Sequence, residues 1–148
     1  FDAGIHDLAE LSMLFGNPDS VYAEGVQYGK KFGPYDQISA LIKYTDDING
    51  FFSFSSITSD SRNYFTIRGK KCLIHIENEE IIIEDNKGKK ETISVTQENV
   101  HLDMWKKIKL FLDGKELPYY TTSVSLKDIE AMEAIDKSLK SSCKIPVQ

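Results

Sequence analysis

The sequence predicts an α+β fold: an open, mostly antiparallel sheet of about six or seven strands with helices packed on one face. Three observations carry this expectation. Apolar residues recur every three or four positions near both ends of the chain, through Phe15 and again from Leu102 to Leu139. Between these stretches the apolar period is two, in short runs separated by turn residues. The strand–helix–strand alternation of a nucleotide-binding sheet is missing, and so is any Gly-x-Gly-x-x-Gly turn.

The first element runs from Asp2 to about Phe15, with Ile5, Leu8, Leu11 and Phe15 at helical intervals and Asp2 as its N-cap. Gly16-Asn17-Pro18 stops it, because Gly accepts a left-handed cap and Pro cannot continue the ladder. From Val21 the chain alternates. YDQISALIKY puts Ile38, Ala40 and Ile42 on one face, and FFSFSS puts Phe52 and Phe54 together. Asn49-Gly50 reads as the hairpin turn between them. YFTIRG, KKCLIHIE, EIIIED and ETISV follow as a meander, turning at Asn78-Glu79 and Lys87-Gly88. A helix then carries Leu102, Trp105, Ile108 and Leu112 and ends at Asp113-Gly114. Ser125 opens the last helix through Ser-Leu-Lys-Asp, a capping-box variant. Its apolar stripe is Leu126, Ile129, Met132, Ile135 and Leu139, and KIPV is a final edge strand.

A chain of 148 residues suits one domain, 1–148, with a real core. No internal repeat or interdomain linker interrupts it. The net charge of −5 argues against a nucleic-acid partner. The basic pairs Lys30-Lys31, Lys70-Lys71 and Lys89-Lys90 read as hairpin tips and sheet edges. Cys72 and Cys143 match no metal spacing, and Cys72 in an apolar run reads as a small core residue. No secretory signal and no apolar run of about 18 residues is present, so a cytoplasmic protein is the expectation and a membrane partner is not.

Asp2 and His6 are the candidate chemistry. Four positions apart on a helix, they point the same way. A carboxylate beside an imidazole favours its charged form and can fix its tautomer, which suits general acid–base work near neutral pH. Spacing alone also allows an N-cap Asp beside a surface His. His75 alternates within a strand and reads as a sheet-face residue, and His101 receives no role. No three of His, Cys, Asp and Glu show ligand spacing, so no metal is expected. Phe51, Phe52, Phe54, Tyr64 and Phe65 read as sheet packing, some of it on an open face that could pair with a second copy.

DAGIHDLAELSMLFGNPDSVYA resembles a stretch of the Gfo/Idh/MocA oxidoreductases, in which Asp-x-Gly-x-His opens a helix and a Gly-x-Pro turn leads into the sheet of the C-terminal domain. YFTIRGKKCLIHI is similar to that family's strand–Gly–strand element. MWKKIKLFLDGKELPYYTTSVSLKDIEAMEAIDKSLKSS is similar to its closing pattern. The likeness spans nearly the whole chain. It implies a C-terminal substrate and oligomerisation domain whose N-terminal Rossmann half, which binds NAD or NADP and carries a catalytic Lys, is missing; Phe1 is then expected to be a truncation point. It implies that His6 exchanges a proton with a sugar or cyclic polyol while hydride moves, with Asp2 orienting His6 or holding a neighbouring hydroxyl, and that this half alone is inactive. It further implies a homo-oligomer formed through the open sheet face. One departure stands out: the family often has Asp three residues after the His, where this chain has Ala9, with Asp7 displaced by two positions. The alternative expectation is a non-catalytic interaction domain that pairs through its sheet. The link at Tyr119-Tyr120 is a further stretch that could approach the crevice.

Overall fold

A computed structural model describes residues 4–29, 33–45, 47–57, 64–77, 79–96, 99–115 and 121–147. In chain order the elements are α1 (Gly4–Phe15), β1 (Pro18–Val26), β2 (Gln37–Tyr44), β3 (Asn49–Ser55), β4 (Tyr64–Arg68), β5 (Cys72–Glu77), β6 (Glu80–Asp85), β7 (Lys90–Ser94), α2 (Val100–Leu112), α3 (Thr122–Ser141) and β8 (Ile145–Pro146). The chain divides into two units, Phe1–Thr58 with Tyr119–Gln148, and Ser59–Pro118. The fold is α+β as expected, but the eight strands among the described residues form two antiparallel sheets of four rather than one.

The first unit holds the sheet β3-β2-β1-β8. Gly16 closes α1 at φ 77°, its N–H donating to the Ser12 carbonyl at 2.9 Å. Pairing of Val21 with Ile42 and Ala23 with Ala40 puts all four on one face, where they are buried. Leu8 and Leu11 of α1 and Ala131, Ala134, Ile135 and Leu139 of α3 complete this core. Burying each large aliphatic side chain contributes roughly 1.5–3 kcal/mol. The alanines matter for another reason. Small side chains let α3 approach β1 closely enough for the Ser138 hydroxyl to accept the Ala23 N–H at 2.8 Å and donate to the Cys143 carbonyl at 2.6 Å. KIPV is indeed an edge strand, pairing Val21 with Ile145.

Three local expectations are corrected here. Thr121, not Ser125, occupies the N-cap of α3, and the Ser125 hydroxyl donates back to the Thr121 carbonyl inside the first turn. The apolar stripe of α3 is rotated: Leu126 and Ile129 are 53% and 44% exposed, while Asp128, Ala131 and Ser138 are buried. The β2–β3 turn precedes Asn49-Gly50, which lie within β3. The Tyr44 N–H donates to the Ile48 carbonyl at 2.9 Å, and Asp47 takes the left-handed conformation at φ 70°.

The second unit holds β4-β5-β6-β7 and α2. Its cross-strand register sorts the side chains by face. Phe65, Ile67, Ile74, Ile76, Ile81, Ile83 and Ile93 share one side, with Asp85 and Glu91 toward its edge; Thr66, His75, Glu77, Glu84 and Lys90 share the other with Tyr64, Leu73 and Ile82. Cys72 is half-buried on the apolar side rather than fully in a core. Asn99 caps α2, its side-chain oxygen accepting the Leu102 N–H, and Gly114 follows the helix at φ 69°. Gly88, at φ 80°, makes the β6–β7 turn as expected. Lys70-Lys71 and Lys89-Lys90 lie at the β4–β5 and β6–β7 turns, while Lys30-Lys31 and the residue Asn78 lie outside the described residues.

Candidate functional site

α1 positions the candidate site. Leu8 and Leu11 turn one face of the helix into the core, and Gly4 sets its first turn against β3. A side chain on Gly4 would place its Cβ 3.4 Å from the Phe52 ring, so the helix start rests on that ring at ordinary contact distance. Helical geometry then points His6 away from the packed side, and His6 is exposed.

Asp7 follows on the flank of the helix, half-buried. Burial pushes its carboxyl above the usual carboxylate range, and the adjacent His6 partly offsets this. Glu10 lies one turn beyond His6, on the same face, and is also exposed. Asp2 and the Tyr119-Tyr120 link lie outside the described residues. His101 is exposed in α2.

Two buried polar groups frame the same unit. Tyr44 is buried against Phe15, ring centroids 5.7 Å apart, and its hydroxyl has no hydrogen-bond partner among the described residues. Burial, with the Asp128 carboxylate second, pushes Tyr44 up to about 12. Asp36 is buried at the end of the β1–β2 connection, where it accepts the backbone N–H groups of Tyr28 and Gly29. These donors hold its carboxyl below the ordinary range. The Asp36 carbonyl in turn accepts from the Ser56 N–H at 2.8 Å, tying the connection to the end of β3.

His75 stands on the face of β5 that also carries Leu73 and Glu77, opposite Ile82 of β6, its Nδ1 2.9 Å from the Thr66 hydroxyl and its Nε2 3.5 Å from Glu77. Among the described residues no cluster of His, Cys, Asp and Glu has metal-holding geometry. No described helix is long and apolar enough to cross a membrane.

On the sheet face away from the helices, Tyr22, Leu41 and Phe51 form one cross-strand row. Leu41 is 57% and Phe51 67% exposed. Lys43 and Glu24 flank the row.

Comparison with known proteins matches this architecture. An oxidoreductase of Thermotoga maritima superposes with a TM-score of 0.81 at 24% identity, over 99% of this chain and 43% of its own. The WlbA dehydrogenase of Bordetella pertussis, solved with NADH and UDP-GlcNAcA, gives 0.78 at 18% identity, over 99% of this chain and 44% of its own. The UDP-N-acetylglucosamine 3-dehydrogenase GnnA of Acidithiobacillus ferrooxidans gives 0.83 at 14% identity, over 93% of this chain and 45% of its own. These likenesses establish the fold, and the chain spans about half the length of these solved relatives. No curated protein matches the sequence. The sequence profile of the GFO/IDH/MocA C-terminal domain matches residues 1–75, and the chain belongs to that family of oxidoreductase domains.

Proposed function

We propose that this chain is the substrate-side domain of an NAD(P)-dependent oxidoreductase that interconverts a hydroxyl and a carbonyl on a sugar, cyclic polyol or related compound. The observation that carries the reading is His6, an exposed imidazole in the first turn of a helix whose other face is fixed in the core. His6 would take the hydroxyl proton as the alcohol carbon gives up its hydride, and return it in the reverse direction. Asp2, one turn before it in sequence, would orient the ring or hold a neighbouring hydroxyl.

The described residues do not fit a dinucleotide. Their strand pairings are antiparallel, and no strand runs through a Gly-rich turn into a helix. The cofactor, NAD or NADP, would therefore belong to the other half of a full-length protein, and this chain alone would neither bind it tightly nor turn over. Solved relatives with NADH and a UDP-sugar acid, and with NAD+ and tartaric acid, support a nicotinamide cofactor and a hydroxylated substrate. Cys72 and Cys143 are both free, which suits a reducing, cytoplasmic setting.

The Tyr22–Leu41–Phe51 row supports a homo-oligomer formed through the open sheet face. The same row favours the second reading, an interaction domain that keeps the sheet and has lost the reaction. Incubating the full-length protein with NAD+ or NADP+ and a panel of sugars, inositols and sugar nucleotides separates the two. Substrate-dependent cofactor reduction supports the enzyme, and none across the panel supports the interaction domain.

A further inference from the structure

The second unit leaves two apolar surfaces uncovered. Each helical residue advances about 100°, which gathers Met104, Trp105, Ile108, Phe111 and Leu112 into a stripe about 120° wide along α2. All five are exposed, Trp105 at 62% and Leu112 at 75%. Away from the stripe, Lys106 pairs with Asp103 and Lys109 with Asp113. The other surface is the apolar face of β4-β5-β6-β7. Ile74, Ile76, Ile81 and Ile83 at its centre are only half-buried. Val21, Ala23, Ala40 and Ile42, on the covered face of the first sheet, are each 1% exposed. The dimensions of helix and sheet match. α2 has 13 residues and is about 20 Å long, and its stripe from Met104 to Leu112 covers about 12 Å of that. Four strands span about 14 Å from edge to edge. The Val95 N–H donates to the Glu79 carbonyl at the end of β7, and Asn99, the cap of α2, follows four residues later, at most about 14 Å away.

We propose that α2 is a strap that closes over the apolar face of its own sheet, seating Trp105 and Ile108 against Ile74 and Ile83 and withholding that face from other chains. The structure describes the strap open. Closure removes both apolar surfaces from water at once, which is what drives it. A tether this short holds the stripe near the face at an effective concentration on the order of millimolar, so the chain's own helix outcompetes a second copy present at micromolar concentration. The inference is independent of the reading of His6.

Trp105 is the one Trp of this sequence, so its fluorescence reads the strap in the unsubstituted chain. A closed strap gives emission at shorter wavelength and weaker acrylamide quenching than the urea-unfolded chain, at every protein concentration. Emission and quenching equal to those of the unfolded chain overturn the inference. Cross-linking then identifies what covers the stripe. Ile108→Cys is combined with Ile74→Cys, or with His75→Cys on the opposite face of the same strand, in a chain that also carries Cys72→Ser and Cys143→Ser. A short bis-maleimide is expected to link Ile108→Cys to Ile74→Cys within one chain and to lose that product with His75→Cys. Equal capture from both faces, or none from either, overturns the inference. Cross-linked dimers whose yield rises with protein concentration overturn it in favour of a second copy. Ile83→Cys replaces Ile74→Cys if the latter lowers the unfolding midpoint, with the same outcome expected.

Discussion

The hydroxyl of Ser138 on α3 accepts the backbone N–H of Ala23 on β1, and the same hydroxyl satisfies the Cys143 carbonyl beyond the helix. One buried side chain therefore joins the sheet, the helix and the turn into β8. Ser138→Ala removes the hydroxyl and leaves the buried Ala23 N–H and the part-buried Cys143 carbonyl without it. The expected loss is about 1–3 kcal/mol, read as a lower urea midpoint at unchanged slope.

Gly25 and Tyr35 make a second point of close contact. A Cβ at Gly25 would lie 2.5 Å from the Tyr35 ring and 3.0 Å from a Leu139 methyl, and the Tyr35 hydroxyl reaches the Leu139 carbonyl at 3.3 Å. Gly25→Ala must displace that ring. A destabilisation of about 1–3 kcal/mol is expected, partly relieved by Tyr35→Leu in the double variant. Simple additivity of the two changes in urea unfolding would contradict the contact.

Asp36 gives the fold a pH dependence of known sign. Its carboxyl is held below the ordinary aspartate range by the Gly29 and Tyr28 N–H groups. The folded state therefore binds a proton less readily than the unfolded chain. The stability this supplies is fully present above about pH 4 and is lost as pH falls through the folded value. Urea unfolding between pH 6 and pH 3 should show a steeper loss in the wild type than in Asp36→Asn, which lacks the titrating group.

The outer row of the first sheet predicts assembly. Leu41 is exposed at its centre, between Tyr22 and Phe51. Leu41→Asp should leave the fold within about 0.5 kcal/mol of wild type, as for other exposed positions, yet shift sedimentation of the full-length protein toward the monomer. An oligomer that persists unchanged would remove this face from the interface.

Much of this was legible in the residues. Gly16 and Pro18 end α1 where their backbone chemistry requires, and the two-residue period from Val21 to Ser94 marks seven strands. The split into two four-stranded sheets was not legible, because alternation fixes faces and says nothing about which strand edges meet. The α3 stripe was misread for a physical reason. Close helix–sheet approach selects Ala131, Ala134 and Ser138, whereas a hydropathy period selects bulky Leu126 and Ile129, which stand exposed. Ser125 and Asp128 have capping-box spacing but lie inside the helix, and Asp128 is buried. At the candidate site His6 was named from its motif, and the structure shows it exposed in α1.

Turnover of the full-length protein carrying His6→Ala tests the central proposal most directly. His6 is exposed and outside the core, so its removal should leave the unfolding midpoint near wild type. If His6 exchanges the substrate proton, kcat should fall by about 10²–10⁴-fold. Near-normal kcat in that folded variant would contradict the account.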